Sequence, residues 1–153
     1  MARPDDLKYT ETHEWVRANK KGEASIGITD YAVRQLSDLV HLELPKVGDS
    51  LEQGAPFGEI ESVKTVADLV APVSGQVTAI NQQAVEDLDL LKEGPYDDGW
   101  LIKVKVSDPG ELDSLLSSKE YQEFLEQSQE EEEEEKEEAE GKEEDEVDED
   151  DFM

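Results

Sequence analysis

The stretch EIESVKTVADLVAPVSG, residues 59–75, holds one lysine, Lys64, between two runs of β-branched and acidic residues that read as strands. A lysine amine can be acylated only if it stands out from the fold, reaches another protein's active site and loses its proton transiently. A hairpin tip supplies the first two conditions. Ser62, Val63, Thr65 and Val66 are small or β-branched, which stiffens such a turn and leaves the amine prominent. An ordinary solvated lysine is the alternative, and spacing alone does not separate the two.

Little else in the chain offers chemistry. Without cysteine there is no disulfide, zinc–thiolate site, thiol nucleophile or iron–sulfur cluster. His13 and His41 are the only histidines, too few for a His-rich metal site, and no P-loop, GxSxG elbow or HExxH pattern occurs. An enzyme with its own nucleophile–base pair is the weakest reading.

The elements that must position Lys64 read as mainly β. Residues 8–18, KYTETHEWVRA, are rich in strand-forming types and suggest a strand or hairpin arm. Ala24 to Ile28 alternates with period two, and Thr29-Asp30 then supplies an N-cap for a short helix over YAVRQLSDL. Val40, Leu42 and Leu44 alternate with His41 and Glu43 up to Pro45, the mark of a half-buried strand with His41 facing out. Ile102, Val104 and Val106 repeat that pattern after the turn-rich EGPYDDGW. Asp108-Pro109 opens a helix, and 118–125 continues helical. LPKVGDSL (44–51) and APVSGQVT (71–78) echo one another as Pro-x-x-Gly units flanking Lys64; two such units facing each other would place their connection at a surface tip. Short strands between Gly/Pro turns favour a flattened barrel or sandwich over a βαβ fold.

One core is expected in 153 residues. From Gln127 to Met153 there are 17 acidic residues against two lysines, a net of −15; the other 126 residues carry 25 acidic and 12 basic, a net of −13. The division predicted is a domain over 1–126 and a disordered acidic tail over 127–153, a solvated run with almost nothing to bury. A total of −28 disfavours nucleic acid and anionic lipid, whose binding rests on Lys and Arg. The N-terminal stretch lacks a signal-peptide apolar region, and no window approaches the roughly 20 apolar residues of a membrane span, so a cytoplasmic protein is expected.

Glu61-Ser62-Val63-Lys64-Thr65-Val66-Ala67-Asp68, followed by APVSG, resembles the lipoyl-lysine motif of the H proteins of the glycine cleavage system. YTETHEW, GITDYA, LSDLVHLELPKVGD, PYDDGWLIKVK and DPGELDSLLSSKEYQEFL are similar to that family too, so the likeness spans roughly 7–125. A biotinyl domain would carry Met-Lys-Met, and a lipoyl domain of the 2-oxoacid dehydrogenases Asp-Lys-Ala; neither has the THEW or PYxxGW elements.

The resemblance implies a lipoyl-domain-like barrel-sandwich hybrid of two small antiparallel sheets with short helices and C-terminal helices. It implies lipoate in amide linkage on Lys64, recognised through Glu61, Ser62, Val63 and Thr65, on a monomer that catalyses no step. The partners implied are a pyridoxal-phosphate glycine decarboxylase, a tetrahydrofolate-dependent aminomethyltransferase, dihydrolipoyl dehydrogenase and a lipoylating enzyme. A loaded arm would end in an ammonium ion and carry a group labile in water, so a cleft of carboxylates and hydroxyls is implied. Glu14, Asp68 and Thr12 fall where that cleft is expected. Gln35 sits where some relatives have other polar residues, often His, and His13 is expected to pack beside Trp15. Two alternatives are an H-like carrier in lipoate relay or sulfur transfer, and a non-lipoylated acidic binding module.

Overall fold

A computed structural model describes residues 4–19 and 21–128. The tail predicted to be disordered lies outside the described residues from 129 on. The chain divides into two units, Met1–Lys119 and Glu120–Met153. A final helix over 118–128 runs across that boundary.

The first unit is two antiparallel sheets sharing one apolar core. Six strands form the larger sheet in the order β1 (Lys8–Tyr9), β2 (Glu14–Ala18), β3 (Glu23–Ile28), β9 (Ile102–Val106), β8 (Gly75–Ile80), β5 (Ser50–Leu51). The smaller sheet is β4 (Leu39–Glu43), β6 (Pro56–Ser62), β7 (Val66–Val70), with β6 in the middle. Val16, Ile26, Val77 and Val104 from the first sheet and Leu42, Ile60 and Leu69 from the second belong to a single buried cluster. This is the mainly β, two-sheet architecture the sequence predicts, since strands alternating every second residue can each send one face into a shared core.

Local chemistry explains the junctions. Thr29 caps α1 (Asp30–Leu36): its hydroxyl accepts from the Ala32 N–H at 3.2 Å, as expected from the sequence. The two echoing segments hydrogen-bond to one another, with Ser50 opposite Gln76 and Leu51 opposite Gly75, and Gly48 N–H donating to Val77 O at 2.8 Å. The excursion that carries Lys64 is thereby closed at its base. Gly27 on β3 lies under the Trp15 indole, whose nearest atoms would stand 2.5 Å from any Cβ placed there.

Three details depart from the sequence reading. The alternation over 40–44 fails because the β4 register shifts between Leu39 and His41. The bulge turns Val40 outward, 51% exposed, and leaves Leu42 as the buried residue of the strand, while His41 faces out as expected. Residues 82–93, to which the sequence reading assigned nothing, form two short helices, α2 (Gln82–Glu86) and α3 (Asp89–Glu93), each burying one residue, Ala84 and Leu91. The helix opened by Asp108 and Pro109 is a 3-10 turn, Pro109–Ser114, capped by Asp108 on the Gly110 N–H.

Candidate functional site

Lys64 sits in the three-residue loop that joins β6 to β7, so it occupies the hairpin tip that the sequence predicts. The loop is held by its own short side chains. Ser62 N–H donates to Thr65 O at 2.8 Å; the buried Ser62 hydroxyl also reaches Thr65 O at 3.3 Å and accepts from the Thr65 N–H at 3.2 Å. Val63 N–H donates to Asp38 O at 2.9 Å, which ties the tip to the segment after α1. Lys64 itself is exposed, and none of the described residues pairs with its amine by hydrogen bond or ion pair. A fixed backbone thus presents a free amine. Around it Val63 and Val66 are 70% and 53% exposed, and Glu61 lies on β6 directly opposite Val66.

A second group of residues surrounds Glu14. The turn over 10–13 closes when His13 N–H donates to Thr10 O at 3.1 Å, with His13 at φ 73, a region open to a short polar residue at some cost. That turn wraps its hydroxyls around the carboxyl of the next residue. Thr10 Oγ1 donates to Glu14 Oε1 at 2.9 Å, Thr12 Oγ1 donates to the same oxygen through a short bond, and the Glu14 N–H donates to Thr10 Oγ1 at 3.0 Å. From the other sheet, Val70 N–H donates to Glu14 Oε2 at 3.4 Å. Glu14 is 1% exposed, and no ion pair joins it to a cation among the described residues. Burial raises its pKa to about 7, against the lowering effect of the bonds from Thr12, Thr10 and Val70.

The structure therefore joins Thr12 to Glu14 and adds Thr10 and the Val70 amide, which sequence reasoning passed over. Thr10 carries a readable signal, since Thr-x-Thr-x-Glu places two hydroxyls just before the acid. The Val70 amide carries none, because its role depends on the other sheet. Asp68 stands exposed on β7, two residues before Val70. Gln35 is exposed on α1. His13 packs against the Tyr31 ring, at 4.8 Å between centroids. Trp15 is fixed by its indole N–H to Pro95 O at 2.9 Å and lies 6.0 Å from the Tyr96 ring, which explains the PYDDGW loop. Tyr96 in turn donates to Asp30 in a short bond, and burial with that contact pushes its phenol well above the usual range.

A family model described as glycine cleavage H-protein matches residues 7–128. The chain belongs to that family. Glycine cleavage system H proteins of Rippkaea orientalis and Methylacidiphilum infernorum are 54% identical over 125 residues and 50% over 124. Each alignment covers 80% of this chain, with 93% and 95% of the relatives covered. The crystal structure of a glycine cleavage system H protein from Mycobacterium marinum superposes with a TM-score of 0.73 at 40% identity, covering 82% of this chain and 98% of that one. The motifs read over roughly 7–125 thus identify the family and its fold. As a member of the H-protein family the chain is a carrier subunit and not itself a catalyst. No helix among its described residues is long and apolar enough to cross a membrane.

Proposed function

We propose that this H-protein family member carries lipoate on Lys64 and shuttles the aminomethyl group of glycine between the enzymes of glycine cleavage. The observation that carries the reading is the Lys64 amine, exposed and, among the described residues, unpaired, at a tip whose backbone is clamped by Ser62 and Asp38. A lysine kept for its charge in so acidic a chain would be expected to hold an ion pair. These surroundings fit an amide-linked lipoyl group, since Lys64 is exposed among the described residues. Such a group would supply a dithiol/disulfide pair able to hold the aminomethyl cargo on sulfur.

The chain's own residues have separate tasks in this reading. Glu61, Ser62, Val63 and Thr65 present Lys64 to the lipoylating enzyme. Glu14 offers its carboxyl to the ammonium end of a loaded arm, held in place by Thr12 and Thr10, and Asp68 adds negative potential on β7. Burial keeps Glu14 close to half protonated near neutrality, and an incoming cation would favour its ionised form. The partners in this reading are a pyridoxal-phosphate glycine decarboxylase, a tetrahydrofolate-dependent aminomethyltransferase and dihydrolipoyl dehydrogenase. The carrier works as a cytoplasmic monomer.

Intact-mass and peptide mass spectrometry on the chain from glycine-fed cells tests the reading. The expected result is a lipoyl adduct on Lys64, lost in Lys64→Arg. An unmodified Lys64 in those cells would overturn it.

A further inference from the structure

The smaller sheet ends in an open edge beside the lysine. Ser62 N–H donates to Thr65 O, so Ser62 and Thr65 form a hydrogen-bonded pair at the end of the β6–β7 ladder. Such pairs alternate with non-bonded ones along an antiparallel ladder. Glu61–Val66 and Glu59–Asp68 are therefore non-bonded pairs, and the backbone N–H and C=O groups of Val66 and Asp68 point away from β6. Among the described residues no strand pairs with β7 on that side. The same parity aims the Val70 N–H outward, and there Glu14 takes it. The open stretch thus begins just after Lys64 and ends at the Glu14 carboxyl, about 13 Å from Val66 to Val70 at the strand rise. An exposed edge of this kind is normally shielded in soluble proteins, because it templates pairing with another chain.

The adjoining outer face gives the chemistry of the occupant. Glu43, Glu59 and Asp68 are direct cross-strand neighbours on β4, β6 and β7, and the described residues place no cation or hydrogen bond on any of their carboxylates. Like charges placed opposite one another on a sheet repel. Exposed Val63 and Val66 lie between this row and the lysine.

We infer that the open edge of β7, at Val66 and Asp68, receives an extended segment with basic side chains from the enzyme that acylates Lys64, paired by strand addition. The inference rests on the reading of Lys64 as the acylated lysine. Any active site that admits the Lys64 amine must cover the residues that follow it. Main-chain pairing on this edge fixes the lysine's position, and the carboxylate row selects a basic partner strand.

The test uses the full chain and a lipoylating enzyme supplied with lipoate and ATP, with acylation followed by intact mass. Proline is tolerated on sheet edges, and Val66→Pro removes an outward N–H. The expected result is a fall in kcat/KM of tenfold or more, with the melting temperature retained. Val66→Thr, which keeps that N–H, should stay at least fivefold above Val66→Pro. Equal losses in both variants, or no loss in a folded Val66→Pro, would overturn the inference. Should Val66→Pro not fold, amide exchange in the wild-type chain decides: exchange at Val66 and Asp68 slows at least tenfold in the complex, and unchanged exchange rejects strand addition. If wild-type Lys64 is acylated while those amides stay exposed, only the docking mode fails. If wild-type Lys64 is not acylated at all, the carrier reading fails with it.

Discussion

Val70 on β7 donates its amide to the Glu14 carboxyl on β2, so a side chain from one sheet ends the exposed edge of the other. That contact helps hold the buried Glu14 carboxyl against the second sheet. The carboxyl, which has no cation partner among the described residues, is held by three donors, Thr10, Thr12 and the Val70 amide.

Glu14 should make stability fall as pH rises. Its folded value of about 7 lies above the 4.5 of an ordinary glutamate, so the folded state holds the proton longer. The stabilisation is complete below about 4.5 and is lost as pH climbs through about 7, amounting to roughly 3 kcal/mol at most. Glu14→Gln should flatten urea-unfolding free energy across that window and leave the variant the more stable form at pH 8. An unchanged slope would contradict the assignment.

Lys64→Arg keeps the cation and breaks no side-chain contact among the described residues. Unfolding free energy should stay within about 0.5 kcal/mol of wild type, as for substitutions on open surface. A larger change in the denaturant midpoint would mean that the amine has a structural contact.

Ser62→Ala removes both side-chain bonds that close the tip. A loss of about 1 kcal/mol is expected, with faster amide exchange at Thr65. The Lys64 backbone should become less ordered while the rest of the sheet is unaffected, which NMR relaxation on residues 62–66 can check.

Gly27→Ala should disturb the packing beneath Trp15. A methyl at 2.5 Å from the indole forces the ring to move, at a cost of about 1–3 kcal/mol. Loss of near-ultraviolet circular dichroism from tryptophan, together with a lower melting temperature, is the expected signature.

Deletion of residues 127–153 removes 17 acidic residues and two lysines. Because salt screens such charges beyond roughly 8–10 Å, lipoylation and aminomethyl loading should remain nearly intact at matched salt. A drop in loading beyond about tenfold would give the tail a direct role.

The sequence carried the strands and the lysine tip clearly because both depend on local signals: alternation in β3 and β9, the Thr29 cap, and a lysine between β-branched runs. It misled at Val40, where a bulge reversed the facing of one residue, since bulges leave no mark in a period-two pattern. It was silent on α2 and α3, whose five residues are too few to display helical periodicity. The Glu14 surroundings were half legible. Thr12 and Glu14 came from motif resemblance, whereas the Val70 amide became part of the site only through the meeting of two sheets.

The paired Ser50–Leu51 and Gly75–Gln76 segments have a mechanical consequence. They weld the root of the lysine-bearing lobe to the larger sheet, so the backbone has no hinge there by which to tilt its load. Whatever sweep the carrier needs must come from single-bond rotations beyond the Lys64 Cα, pivoting on a mount that stays still.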